Sequence, residues 1–158
     1  MPFEEYKKPS LKDLKKWKKN GVNYLGLFAS AVAKKKLLSF CQLIELPIYE
    51  NVKCHHITLL YKPKTIVIQS IESTLGKEFA IKVTGYGSNE YVSALRVEIA
   101  GMQSDNVAPH ITMSVSNAEG ASAKMSNDLD YEDIDGPEIQ GTLAFYGRGK
   151  EYTHIPWK

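Results

Sequence analysis

Apolar and polar side chains alternate through much of this chain, and the alternation predicts strands. Residues 22–29, Val-Asn-Tyr-Leu-Gly-Leu-Phe-Ala, read as the first. Ser30 opens a helix to about Glu45, with Val32, Leu37, Leu38, Cys41 and Ile44 on its inner side, and Leu46-Pro47 stops it. Residues 52–61 form the next strand, broken by Lys62-Pro63-Lys64. Residues 65–76 stay open: Thr-Ile-Val-Ile favours strand, whereas Ser70 to Leu75 suits one or two helical turns before Gly76. Residues 77–86 and 90–99 are β-rich and flank Gly87-Ser88-Asn89, a hairpin-type turn. A polar loop over 101–108 leads into a strand at 109–116. Small polar residues at 117–127 and an acidic loop at 128–138 precede a last strand, 139–147, and a turn at Gly147-Arg148-Gly149. Ahead of all these, Leu11, Leu14 and Trp17 make one stripe of a helix over 10–19, capped by Ser10 and ended by Asn20-Gly21.

Two of the predicted strands carry the same tripeptide, His56-Ile57-Thr58 and His110-Ile111-Thr112. Residues two apart on a strand share a face. His56 and Thr58 therefore point one way, as do His110, Thr112 and Ser114, with Ile57, Leu59, Ile111, Met113 and Val115 behind them. Side by side, the strands would aim two imidazoles and two hydroxyls into one open cleft. Imidazole titrates near neutrality, so one ring can take a proton from an attacking oxygen while the other gives one to a leaving oxygen. Threonine hydroxyls can donate to the non-bridging oxygens of a phosphodiester between them. No metal or other cofactor is required. A single copy would more often be a structural histidine beside an exposed threonine. Two copies in matching strand contexts favour a site.

Paired H-x-T motifs on strands resemble those of the 2H phosphoesterases, the LigT-like phosphodiesterases. Tyr24-Leu25-Gly26-Leu27-Phe28 is similar to that family's opening strand, and Leu37-Leu38 with the turn near Pro47 to the helix and loop before its first motif. Leu75-Gly76-Lys77-Glu78 and Ala94-Leu95-Arg96-Val97 look like its connector and central strand. The likeness spans roughly residues 23–116, and more weakly to 147. It implies an α+β fold, with curved antiparallel sheets in two pseudo-symmetric halves around a central cleft and helices outside. It also implies His56 and His110 as acid and base, in either order, with Thr58 and Thr112 on the phosphate. The expected activity is metal-independent hydrolysis of a ribonucleotide phosphodiester: a 2′,3′-cyclic phosphate, a 2′-5′ oligoadenylate or a cyclic dinucleotide. The family includes viral members that destroy such messengers, and a phage or viral antagonist of nucleotide-based immunity fits this compact, lysine-rich chain. A module that binds a nucleotide or RNA end without cutting it is the alternative. A structural RNA-binding domain using the lysine face is a further one.

Around the motifs, Tyr61, Lys124, Ser126 and Asn127 are candidate substrate contacts. A Ser-Asn pair also follows the second motif in similar family members, although a helix cap or loop bond would explain Ser126 and Asn127 as well. Trp17 is a candidate for stacking on a base if residues 1–21, a basic helical extension ahead of one domain at 22–158, close as a lid. Packing on the domain is the simpler expectation for that helix. His55 and His154 read as non-catalytic, with His55 able to back the active pair.

Composition narrows the classes. At 158 residues and 43% hydrophobic content, one domain can bury a real core. Nothing approaches the roughly 18 apolar residues of a membrane span, and the acidic start lacks a signal peptide's apolar core. A cytoplasmic protein is expected, in the host cytoplasm if viral, without membrane or obligate protein partner. Cys41 and Cys54 have neither metal-ligand nor redox spacing and read as buried free thiols. Net charge is only +2, yet residues 1–36 hold ten lysines and residues 119–139 seven acids. The run Lys34 to Lys36 reads first as a solvated helix face. Only two arginines occur, Arg96 and Arg148, which suits a nucleotide or short oligonucleotide better than a long duplex.

Overall fold

The computed structural model describes residues 21–100 and 109–157. In chain order these form β1 (Tyr24–Ala29), α1 (Ala31–Leu43), β2 (Asn51–Val52), β3 (His56–Tyr61), α2 (Thr65–Ser70), β4 (Glu78–Ser88), β5 (Val92–Ile99), β6 (His110–Val115), β7 (Glu132–Asp133), β8 (Glu138–Gly147) and β9 (Lys150–Tyr152). Short 3₁₀ turns lie at Glu72–Thr74 and Ala123–Asp128. The helix expected over 10–19, with Trp17, and the loop over 101–108 lie outside the described residues.

The sheet is antiparallel, curved and closed. From β4 the order runs β5, β6, β3, β1, β8, and β8 pairs back to β4. The short strands extend this ring: β2 on β6, β7 on β4 and β9 on β8. Period-two alternation sends one row of each ring strand into a common core, with Leu27 of β1, Ile57 of β3, Ile81 of β4, Leu95 of β5, Ile111 of β6 and Phe145 of β8 almost wholly buried. Each such side chain contributes roughly 1.5–3 kcal/mol relative to exposure. The opposite row of β1, β3 and β6 carries Tyr24, Phe28, His56, Thr58, His110 and Thr112. No helix among the described residues is long and apolar enough to cross a membrane.

α1 starts where expected, with Ser30 Oγ accepting from the Ala33 amide at 3.1 Å. Its buried stripe is Ala33, Leu37 and Cys41, one every fourth residue. Val32 was expected inside but sits one position off that stripe and is 77% exposed. Residues 65–76 resolve as α2 and a 3₁₀ turn, with Gly76 at φ +84°. The hairpin turn falls at 89–91 rather than 87–89. Asn89 Oδ1 accepts from the amides of Tyr91 and Val92 and closes the chain there. Gly87 stays in the strand, where a Cβ would crowd Leu129, Asp130 and Tyr131 of the crossing loop. The acidic loop contributes β7 and sets Asp133 on Arg96 and Asp135 on Lys82. β9, three residues long, was not expected.

Candidate functional site

The two motif strands are neighbours, and their register decides the site. β3 and β6 pair at Ile57↔Ile111. One residue either way along antiparallel strands, that register sets His56 opposite Thr112 and Thr58 opposite His110. The two tripeptides are thus related by a local two-fold axis through the isoleucine pair. Below the axis the isoleucines are core; above it all four polar side chains line one cleft of about 790 Å³.

A break in the first motif strand widens this group. Val52 pairs with Ser114 while Ile57 pairs with Ile111, so the path from β2 to β3 holds two more residues than the facing path on β6. The excess is taken up around Cys54, which has φ +45°. Consecutive residues then reach the same side, and His55 joins His56 in the cleft wall. The adjacent β1 fits closely against β3 because Gly26 lies on the Ile57 carbonyl, where a Cβ would come within 2.5 Å.

Each half is braced differently. His56 lies in an aromatic stack, with Tyr24 at 4.3 Å between centroids and Tyr146 behind Tyr24 at 5.2 Å. Its Nε2 is 3.1 Å from Thr58 Oγ1, and its Nδ1 is 3.0 Å from His55 Nδ1. Burial, then the neighbouring His55 and His110, depresses the His56 pKa from 6.5 to about 4, so the ring is neutral at physiological pH. Burial raises the Tyr24 hydroxyl to about 12. In the second half, Thr112 Oγ1 is 2.9 Å from Ser126 Oγ. Tyr131 donates to the Ser126 carbonyl at 2.7 Å and lays its ring 6.4 Å from that of His110. Burial pushes the Tyr131 hydroxyl up as well.

His56, Thr58, His110, Thr112, Tyr61, Lys124 and Asn127 all line the cleft. Ser126 does not: it is fully buried, and its hydroxyl braces Thr112. Thr112 Oγ1 thus has a buried partner as well as the cleft, and where Ser126 is the donor of the pair the Thr112 hydroxyl hydrogen still faces the cleft. His154 packs against Tyr152 away from the cleft, and Gly147-Arg148-Gly149 is the β8–β9 turn, with Arg148 and Gly149 at positive φ. Both cysteines are buried free thiols, raised by burial to about 12 for Cys41 and about 11 for Cys54, which makes them poor nucleophiles.

Sequence reasoning missed two lysines. Lys34 was grouped with a solvated face, but one turn of α1 sends Lys34 to the cleft and Lys36 to the Glu138 carbonyl. Lys53 enters from the break before the motif. With Lys124 they give the cleft three ammonium groups among the described residues, none of whose aspartates or glutamates lines it. Among the described residues none of the three is in an ion pair, and no group of three or more His, Cys, Asp or Glu gathers as a metal site. No protein-family model and no curated protein matches this chain.

Proposed function

We propose that the cleft is the active site of a 2H-type phosphodiesterase acting on a nucleotide or short oligonucleotide. The observation that carries this reading is the Ile57↔Ile111 register, which brings both H-x-T motifs to one cleft about a local two-fold axis. The strand order supports it: outward from that seam lie β6, β5, β4 on one side and β3, β1, β8 on the other, three strands each, as two pseudo-symmetric halves require. In the reaction one imidazole removes the proton of the attacking hydroxyl or water as its oxygen bonds to phosphorus. The other imidazole protonates the leaving oxygen as its P–O bond breaks. Thr58 and Thr112 donate to the non-bridging oxygens, and the phosphate itself supplies the charge that favours protonated imidazole nearby.

The charge of the cleft bears on the substrate. A phosphodiester carries one negative charge, which the motif groups can meet. Three further lysines, with no acid among the described lining residues, favour a ligand with more than one phosphate, such as an oligoadenylate or cyclic dinucleotide, over a mononucleotide 2′,3′-cyclic phosphate. The experiment is incubation with cyclic dinucleotides, 2′-5′ oligoadenylates and RNA ends bearing 2′,3′-cyclic phosphate, in EDTA, with products separated by chromatography. Cleavage that disappears in His56→Ala and in His110→Ala is expected. Tight binding without turnover would replace the enzyme with a nucleotide-binding module.

A further inference from the structure

Behind the first motif runs a line of side chains that the duplicated tripeptide does not contain. Glu151 of β9 places Oε1 2.9 Å from His55 Nε2. His55 Nδ1 is 3.0 Å from His56 Nδ1, and His56 Nε2 is 3.1 Å from Thr58 Oγ1. The Tyr24 hydroxyl lies 3.4 Å from the same His56 Nδ1, and the contacts together are consistent with one set of proton positions, in which that oxygen accepts. An ionised carboxylate only accepts, so His55 Nε2 carries hydrogen and donates to Glu151. In a neutral imidazole the other nitrogen is then bare, and His55 Nδ1 must accept from His56 Nδ1–H. That leaves His56 Nε2 as a lone pair, on the edge of the ring beside Thr58. We propose that Glu151 and His55 are positioning residues that hold His56 in its Nδ1–H form and thereby make it the general base, leaving His110 as the acid. The roles of base and acid rest on the phosphodiesterase reading; the proton positions do not.

The residue before His110 is Pro109, with no titratable side chain and no amide hydrogen. The local two-fold axis is broken at this position; the base role of His56 comes from its own contacts with His55 and, through it, Glu151, and the reaction then leaves the acid's role to His110. Protonation of His55 reverses the line: its Nδ1–H then donates, His56 shifts to the Nε2–H form, and the base is lost. The other groups facing the pair are Tyr24 and Phe28 of β1, with Tyr146 of β8 behind Tyr24, His110 of β6, and the cleft lysines Lys34 and Lys53. Glu151 is the acid in direct contact with His55.

Long-range ¹H–¹⁵N spectra of the ¹⁵N-labelled full chain at pH 7.5 read the tautomer without any substrate. Wild-type His56 is expected as Nδ1–H; in His55→Ala and Glu151→Gln the Nε2–H form grows in. The side chains of His55 and Glu151 are 38% and 39% exposed, so neither substitution opens the core. Both variants should lose about tenfold to a hundredfold in kcat with little change in KM, as removal of an orienting partner does for other histidines. A wild-type Nε2–H tautomer, or one unchanged in His55→Ala, overturns the proposal. Expected tautomers with no cleavage of any substrate would overturn the base role through the phosphodiesterase reading, and the intact spectra would show which of the two had failed.

Discussion

Thr58 and Thr112 hold equivalent places in the duplicated motif, yet replacing each by valine should give different outcomes. Valine keeps the shape and removes the hydroxyl. Thr112 Oγ1 is bonded to Ser126 Oγ, which is fully buried, so Thr112→Val strands a polar group in the interior. Such a group costs about 1–3 kcal/mol. For a chain of this length each kcal/mol moves Tm by roughly 2–4 °C, so a fall of roughly 2–12 °C is expected. Thr58 bonds His56 Nε2 at the half-buried wall of the cleft, where water can replace it, and Thr58→Val should cost less than about 1 kcal/mol. In catalysis the two converge. A donor to a charged phosphate is worth roughly 1.5–3 kcal/mol, or about tenfold to a hundredfold in kcat/KM for either variant. Thermal melts and initial rates per folded molecule on both proteins separate the effects. An unchanged Tm in Thr112→Val would refute the bracing role of Ser126. Unchanged kinetics in both would remove the hydroxyls from the mechanism.

Two other outcomes follow from the same geometry. The His56 pKa lies below its unfolded value, so the unfolded chain takes up the proton first; the stability His56 contributes is complete above about pH 6.5 and is lost as pH falls towards 4. The full shift corresponds to roughly 3 kcal/mol, and partial exposure reduces this to about 1–2 kcal/mol. Urea denaturation at pH 7.5 and 4.5 should show that much less pH sensitivity in His56→Asn; equal losses in both proteins would contradict it. Gly26→Ala drives a methyl into the Ile57 carbonyl, a backbone atom that moves only with its strand. It should cost about 1–3 kcal/mol and also slow turnover by shifting the first motif, measured as Tm and as rate per folded molecule.

How legible this was depends on the range of each interaction. Strand identity, the Ser30 cap, and the shared face of His56 and Thr58 follow from spacing within a few residues, and the sequence carries them. The curved antiparallel sheet was also within reach, because alternation with turn residues leaves few other arrangements. Its closure was not: the β4–β8 pairing joins residues about sixty apart through hydrogen bonds with no side-chain signature. The same limit hid the brace on Thr112. Ser126 looks like a surface polar residue in a loop of small residues, and only the 3₁₀ turn at Ala123–Asp128 turns it inward. Lys34 was lost among three consecutive lysines because the side of the helix that meets the cleft depends on how α1 lies on the sheet. Glu151 carried no signal at all, since its partner His55 is about a hundred residues away in sequence.

A two-fold axis has a consequence for direction. Turned end for end about the Ile57–Ile111 pair, a bound phosphate meets an imidazole and a hydroxyl in the same places. A nucleic-acid chain is not a palindrome: its sugar, base and leaving oxygen differ on the two sides of every phosphorus. Polarity must therefore be read by what the axis does not repeat, the lysines and tyrosines around the cleft and the Pro109-for-His55 difference behind it. Chemistry and orientation are in this way written in different residues. On the proposed phosphodiesterase reading, the machinery for breaking the bond can stay fixed while substitutions at the rim choose which end of a strand, or which linkage, is presented to it.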